Sequence, residues 1–168
     1  MKKNDESVIG IIFSNDRKKI LLIKRRDVPV WVLPGGGIED NETSTEAVIR
    51  EILEETGYKT RITKKVGEYT PINKLARYTH LYECQIISGE ASLSDETREI
   101  SFFEVNKLPK LIPPPYPLWI SDSLKNEKFL ITKKLSSVTY PALLKNLFLH
   151  PILVIRFLLT KIGLTINS

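Results

Sequence analysis

Three glutamates, Glu51, Glu54 and Glu55, are spaced so that a helix would carry them on one side. Side chains at positions i, i+3 and i+4 are neighbours on a helix, and like charges there disfavour it by about 0.2–0.5 kcal/mol per pair. Arg50, four residues before Glu54, can neutralise one of them. Two interpretations compete. The residues form either a solvated acidic helix face or a site for a hard cation such as Mg²⁺ or Mn²⁺, which prefers carboxylate oxygens.

Three consecutive glycines, Gly35, Gly36 and Gly37, precede this helix and favour the cation site. They have no side chains to keep a polyphosphate away from the backbone. We expect a loop here, because three glycines in a row disfavour a regular element. The helix itself is predicted over Thr43–Thr56, with Thr43 or Ser44 as its N-cap and Gly57 at its end.

One arc of the predicted helix is apolar and is expected to pack against a sheet. A helical wheel places Val48, Ile52, Ile49 and Leu53 in consecutive positions around this arc. The glutamates lie away from most of it, so the same helix can bury one side and present acids on another.

The helix and the glycines together form a pattern of 23 residues. Gly36 is followed after five residues by Glu42, and after seven more by the run Arg50–Tyr58. This pattern resembles the signature of the Nudix hydrolases, with all seven fixed identities at the right spacing. At ordinary residue frequencies a chance match is on the order of 10⁻⁶. Tyr58 stands where an aliphatic residue is more usual, and its ring can still be buried there.

The resemblance implies a reaction and roles for individual residues. Nudix enzymes hydrolyse a diphosphate linked to another moiety, usually a nucleotide, by attack of water on phosphorus. By resemblance, Glu51, Glu54 and Glu55 would hold Mg²⁺, or Mn²⁺ in its place, with help from the carbonyl of Gly35. Glu51 or Glu54 would be the base that activates water, and Arg50 would orient the glutamates.

Further residues are candidates for binding the substrate. A basic strand end, represented by Arg25, could reach phosphates or could be a solvated charge. By the same resemblance, Glu42 would pair with Arg50 or support its salt bridges to the other glutamates, and it is counted among the substrate-binding residues. Some family members take one more acid from a later loop, where Glu96 and Glu99 are the candidates. The substrate-binding set is therefore Gly36, Gly37, Arg25 and Glu42.

The order of predicted elements indicates an α/β (α+β) domain around a mixed β-sheet. Strands, the acidic helix, more strands and a short helix follow one another, and the resemblance implies an αβα sandwich. We predict strands at Ser7–Phe13, Lys19–Arg25, Thr60–Tyr69, Tyr78–Ile87 and Ile100–Val105, with a short helix at Leu118–Lys125. The Nudix domain is assigned to residues 1–130 and an amphipathic helical extension to residues 131–168.

Composition and charge restrict the class of protein. A chain of 168 residues with 42% hydrophobic residues suits one compact domain. Its single cysteine excludes an intrachain disulfide, and the apolar run after the start is too short for a secretory signal, so we expect a cytoplasmic protein. Residues 1–110 are neutral overall, and the net charge of +5 comes from residues 111–168. This argues against a nucleic-acid groove on the main domain, and the resemblance implies a small-molecule substrate instead.

The C-terminal extension is basic and apolar. Residues 141–166 contain no acid, and a helical wheel separates their basic from their apolar side chains. Pro151 is predicted to begin a second helix, with His150 at a helix end, and Arg156 argues against a membrane-spanning segment. The apolar side could pack on the domain, meet a second copy in a homodimer, or lie on an anionic membrane.

Two alternatives to an enzyme remain at this point. The chain could be a catalytically silent module that binds a nucleotide, although such modules usually lose acids that are all present here. It could also be a peripheral membrane protein whose tail dominates its function. The reaction implied by the resemblance, Mg²⁺-dependent hydrolysis of a nucleoside diphosphate derivative, is the preferred interpretation.

Overall fold

The computed structural model describes residues 6–125 and 127–164, except for the side chain of Lys161. Within these residues the chain forms eight strands and four helices. In chain order they are β1 Glu6–Ile12, β2 Lys19–Arg25, β3 Trp31–Val32, β4 Gly35–Gly37, α1 Ser44–Thr56, β5 Tyr58–Pro71, β6 Tyr78–Gly89, β7 Thr97–Glu104, α2 Tyr116–Leu124, β8 Ile131–Leu135, α3 Tyr140–Leu149 and α4 Pro151–Lys161.

Two sheets organise the domain. The larger has the order β4-β1-β6-β5-β8, in which β1 and β6 are parallel, as are β5 and β8, while the other pairs are antiparallel. The smaller has the order β3-β2-β7 and is antiparallel. The mixed larger sheet confirms the predicted fold class.

Strand β1 is paired along both edges in the larger sheet and is buried on both faces. Val8 and Ile12 belong to a core cluster with Ile52 of α1, whereas Ile9 and Ile11 belong to a second cluster with Trp119 of α2. Alternate residues of a strand point to opposite faces, so one strand supplies both cores. This two-sided burial explains why its sequence is almost continuously apolar.

The N-terminal and C-terminal ends of α1 agree with the prediction. Thr43 is the N-cap and forms a capping box with Glu46, and Gly57 ends the helix in the left-handed conformation at φ 76°. These signals are local in sequence, which is why the boundaries could be read from it.

The predicted buried arc of α1 is partly wrong. Ile49 and Leu53 are 38% and 41% exposed, while Val48 and Ile52 are buried as expected. The helix approaches β1 most closely at Gly10, where an added Cβ would lie 2.5 Å from Ile52 Cδ1. This docking position turns the glutamate side of α1 further towards the sheet than the wheel suggests.

The glycine segment is a strand rather than the predicted loop. Gly35–Gly37 pair antiparallel with β1 as strand β4. The absence of side chains permits this pairing, because a Cβ on Gly35 would lie 2.2 Å from the Val8 carbonyl oxygen and its φ is +150°. The three glycines have no strand preference of their own. Their backbone hydrogen bonds to β1 keep them in an extended conformation.

Residues 131–135, assigned to the helical extension, form the edge strand β8 of the larger sheet. Only Ile131 and Leu135 of this strand are buried, so its short alternating pattern was a weak signal. The helical part begins at Tyr140 with α3, and α4 begins at Pro151 as predicted. His150 lies between the two helices, as expected. The predicted tail extends to Ile166, and residues 165–168 lie outside the described residues.

No helix in the ranges 6–125 and 127–164 combines the length and apolar character needed to cross a bilayer.

A buried carboxylate ties α2 to the edge of the larger sheet. Asp122 accepts hydrogen bonds from Tyr69 Oη at 3.0 Å and from Lys133 Nζ at 2.7 Å, and a longer one from Lys125 Nζ at 3.3 Å. Its side chain has no exposed surface. Burial opposes ionisation, but these donors outweigh it and lower the pKa of Asp122.

We expect Asp122→Asn to lower the free energy of unfolding by about 2 kcal/mol near neutral pH, because an amide satisfies these donors poorly. A carboxylate with a lowered folded-state pKa stabilises the protein above its unfolded pKa of about 4, and this contribution is lost as the pH falls further. The difference between parent and variant should therefore shrink between pH 6 and pH 3. Urea denaturation at both values measures it, and an equal difference at both would contradict this assignment.

Candidate active site

The three glutamates of α1 range from buried to exposed. Glu55 is buried, Glu51 has a side chain only 15% exposed, and that of Glu54 is 58% exposed. The helix thus presents carboxylates at different depths beside strand β4.

Arg50 connects the acidic helix to the segment that precedes it. Its guanidinium donates to both oxygens of Glu42, at 2.8 and 2.9 Å, and to the Gly37 carbonyl at 3.1 Å. It also donates to Glu51 at 3.0 Å and to Glu54 at 3.1 Å. These bonds, first of all that with Glu42, raise the pKa of Arg50. One cation therefore contacts three acids at once.

Strand β4 lies directly against two of the glutamates. The Gly35 N–H donates to Glu55 Oε2 at 2.8 Å. A Cβ added to Gly36 would lie 2.3 Å from Glu51 Oε1. Since real Cβ atoms essentially never come so close, any side chain at position 36 would displace the Glu51 carboxylate.

The electrostatics of the site disfavour full ionisation of its acids. Burial, together with the negative charges of Glu51 and Glu96, raises the pKa of Glu55 to about 8, although the Gly35 N–H and Arg25 oppose this. Burial also raises the pKa of Glu51, with Arg50 opposing and Glu54 and Glu96 adding to the shift. Such a group of acids has negative charge that Arg50 alone does not balance.

The donor set fits a hard divalent cation. It consists of carboxylate oxygens, the ligands that Mg²⁺ and Mn²⁺ prefer, and one of them is buried with a raised pKa. Within the described part of the chain, however, no three acidic, histidine or cysteine side chains form a group already close enough to hold a metal ion. Glu51 and Glu54 bond to Arg50 instead, so the carboxylates would have to turn to bind a cation together.

Two other residues expected in the site are paired elsewhere. Arg25 donates to both oxygens of Asp27, at 2.8 and 2.6 Å, and this pairing raises its pKa. Glu99 is exposed and accepts from Lys24 Nζ at 2.7 Å. Glu96 is exposed and is the one of the two loop acids whose charge acts on Glu51 and Glu55.

A cavity of about 630 Å³ borders the other side of β4. Gly35, Gly36 and Gly37 line it, as do Arg25 and the exposed Arg77. Its remaining walls come from the proline-rich segment 110–115, from α2 and from α3 and α4. The volume is typical of a site for a small organic molecule.

Arg77 was missed in the sequence analysis. Its Nη1 atom lies 3.1 Å from the position of a Cβ on Gly37, so its guanidinium lies over the glycine strand. In the sequence it is one of 25 basic residues and has no distinguishing spacing. Only the pairing of β1 with both β4 and β6 brings it to the site.

Comparison with known proteins identifies relatives of this chain. A model of the NUDIX domain matches residues 4–122. A putative 8-oxo-dGTP diphosphatase of Bacillus subtilis is 38% identical over 113 residues, which are 67% of this chain and 75% of that protein. An ADP-ribose pyrophosphatase of Methanocaldococcus jannaschii is 40% identical over 111 residues, covering 62% of this chain and 64% of that one.

Solved structures with the same fold include two bacterial proteins. An ADP-ribose pyrophosphatase from Streptococcus suis superposes with a TM-score of 0.61 at 23% identity, covering 77% of this chain and 97% of that one. A NUDIX hydrolase from Nitrosomonas europaea gives a TM-score of 0.64 at 21% identity, covering 77% of each chain. At these identities the likeness concerns the fold alone.

Proposed function

Since the chain belongs to the Nudix domain family and is an enzyme that hydrolyses phosphorus-containing anhydrides, we propose that its substrate is a nucleoside diphosphate linked to another moiety and that it requires Mg²⁺. One observation carries the proposal. Strand β4 contacts the Glu51 and Glu55 carboxylates and its three glycines also line the cavity, so a single strand without side chains lies between the acids and a molecule in the cavity.

Glu51, Glu54 and Glu55 are the proposed metal ligands, together with the carbonyl of Gly35. Mn²⁺ is expected to replace Mg²⁺, because both prefer oxygen ligands. A bound divalent ion would supply charge neutralisation on the diphosphate and would lower the pKa of a water molecule. Burial places Glu55 where an uncompensated charge is most costly, so it is the glutamate with the greatest need for a cation.

Glu54 is the proposed base, with Glu51 as the alternative. Glu54 is the most exposed of the three and forms its ion pair with Arg50 at the surface, so it can accept a proton from a water molecule that enters from solvent. Arg50 would orient Glu51 and Glu54 from its fixed position on Glu42. General-base assistance of this kind typically contributes about 10²–10⁴ in rate.

Substrate binding is proposed at the cavity side of β4, where Gly36 and Gly37 admit phosphates close to the backbone. Arg25 borders the same cavity and would contribute its positive charge while staying paired to Asp27. Glu42 would act through Arg50, and Glu96 is the stronger candidate for an additional acid. The names of the two relatives suggest 8-oxo-dGTP and ADP-ribose as first compounds to test.

The test is a panel of nucleoside diphosphate derivatives assayed with Mg²⁺, with Mn²⁺ and with excess EDTA. We expect turnover of at least one compound with either ion and none with EDTA, with cleavage between two phosphorus atoms confirmed by analysis of the products. Binding of the same compounds without turnover under every condition would instead identify a catalytically silent nucleotide-binding module.

We propose that an anionic membrane surface covers the outer side of α3 and α4. Leu144, Phe148, Ile152 and Ile155 are exposed there, Phe148 by 80%. After Glu127 the chain contains six basic residues and no acid, and this net positive charge of the C-terminal region would complement anionic lipid headgroups.

Sedimentation with vesicles tests the membrane proposal. The protein should sediment with vesicles containing phosphatidylserine, less so with pure phosphatidylcholine, and the double variant Phe148→Ser/Ile152→Ser should remain in the supernatant. A concentration-dependent dimer without vesicle binding would show that a second copy of the chain covers the patch instead.

The division of the chain and its cellular location are also proposals. Residues 1–130 would supply the catalytic machinery and residues 131–168 the extension, with β8 as the strand that anchors the extension to the sheet. Cys84 is buried without a disulfide, and burial raises the pKa of its thiol to about 12. An inert thiol suits the cytoplasm, where the protein would be free or peripheral to the membrane.

A further inference from the structure

The C-terminal helices do more than present an outer surface, because their inner side is a wall of the cavity. Asn146 and His150 contribute to this wall, together with Leu153, Val154 and Phe157 of α4. Val154 is buried and Leu153 and Phe157 are partly buried, in contrast to the exposed residues of the outer side. The region matched by the family model ends at residue 122, so this wall lies outside it.

The segment that leads into α3 is joined to the catalytic domain. Asn73 Nδ2 donates to the Val138 carbonyl oxygen at 2.7 Å, and β8 pairs with β5 immediately before it. The α3–α4 hairpin, residues 140–161, thus starts from a fixed point beside the cavity.

The cavity has a cationic end and an apolar end. Arg77 lies over Gly37 at the β4 end of the cavity, and no ion pair within residues 6–125 and 127–164 involves its guanidinium. The walls away from β4 are mostly apolar and are closed by Leu153 and Phe157. This distribution suits a molecule with phosphates at one end and a largely apolar ring system at the other.

Two polar atoms in the cavity wall have no hydrogen-bond partner among the residues that the structure describes. Trp119 Nε1 and Ser137 Oγ are buried without a hydrogen bond, and both residues line the cavity. Buried polar groups are nearly always paired, so each such atom calls for an explanation. A bound molecule with a few hydrogen-bonding groups on an apolar ring would supply the missing partners.

We propose that the α3–α4 hairpin forms the wall of the nucleoside pocket, with the base of a nucleoside diphosphate against Phe157 and Leu153 and its phosphates under Arg77. The extension is then part of the substrate site and determines specificity. This role is independent of the proposed membrane contact, which concerns the outer side of the same helices. This inference rests on the proposed function for the identity of the phosphate end.

The test compares Phe157→Ala with Phe129→Ala in the full chain. Phe129 is 83% exposed in the loop before β8 and does not line the cavity, so it controls for loss of a phenyl group. Two quantities are measured: the Kd of ADP by calorimetry in EDTA, where no hydrolysis occurs, and kcat and KM with Mg²⁺ for whichever of ADP-ribose and 8-oxo-dGTP is turned over faster.

Phe157→Ala should weaken ADP binding and raise KM, each by about tenfold, because a buried aromatic contact is lost. Its kcat should stay within about twofold, as expected for binding that is equal in ground and transition states. Phe129→Ala should change neither quantity. Ala142→Leu, which adds bulk to the α3 part of the wall, should also raise KM if the Phe157 variant unfolds.

Each other outcome decides between the proposals. If the variants are active and have unchanged KM and unchanged ADP affinity, the proposal that the hairpin forms the pocket wall is wrong, while the proposed reaction still holds. Equal losses in the Phe157 and Phe129 variants would also overturn it, since the effect would then be general. ADP binding that weakens only in Phe157→Ala, in a parent that hydrolyses no diphosphate, would support the wall and refute the proposed reaction.

Discussion

Glu54→Gln is expected to lower kcat by about 10²–10⁴-fold while the protein stays folded. The amide keeps the size of the side chain and can still accept a hydrogen bond from Arg50, but it cannot take a proton from water and is a poorer metal ligand. Glu54 is the most exposed of the three glutamates, so its pair with Arg50 contributes little to stability. The measurements are steady-state kinetics with Mg²⁺ and a circular dichroism melting curve.

Glu104→Gln is the matched control, because Glu104 is an exposed acid at the last residue of β7, whereas Glu96, whose charge acts on Glu51 and Glu55, precedes the first. It should retain the parent rate. Parent-like turnover by Glu54→Gln would shift the role of base to Glu51, and Glu51→Gln would then be expected to show the large loss.

Gly36→Ala is expected to lower kcat/KM by about 10²-fold with only a small change in Tm. The new Cβ would lie 2.3 Å from Glu51 Oε1, and the end of a flexible side chain can move away at little cost to folding. The displaced carboxylate would no longer be placed for its role, and a shift of about 1 Å at a catalytic site can cost this much activity.

A double-mutant cycle tests whether Glu51 transmits this effect. The Glu51→Ala variant lacks the clashing carboxylate. When Gly36→Ala is added to this variant, it should cause little further loss of kcat/KM. Gly37→Ala should have a smaller effect than Gly36→Ala in the parent, since the nearest atom to its Cβ is Arg77 Nη1 at 3.1 Å. Fully additive losses in the cycle would refute the steric explanation.

The predictable parts of the site are those determined by residues that are close together in the sequence. The cap at Thr43, the left-handed Gly57 and the position of Arg50 four residues before Glu54 follow from local geometry, and the structure agrees with each. The ion pair of Arg50 with Glu42 spans eight residues and was expected only through the family resemblance.

The parts that could not be predicted depend on which segments meet in space. Strand β4 exists because β1 offers it hydrogen bonds, and no local preference of three glycines indicates a strand. The burial of Glu55 depends on where Gly10 lets α1 approach the sheet. The pairing of Arg25 with Asp27, two residues away, was not predicted either, because nothing in the sequence distinguishes it from a solvated charge.

If the chain binds a divalent ion as proposed, the network around Arg50 implies that its uptake would be an exchange of counter-ions. Glu51 and Glu54 already share one internal guanidinium, so a divalent ion would compete with it for the same oxygens. The net affinity for the ion would then be the difference between two free energies, that of the carboxylates binding the ion and that of the same carboxylates pairing with Arg50. The strength of ion binding could be tuned at position 50 without altering a single ligand.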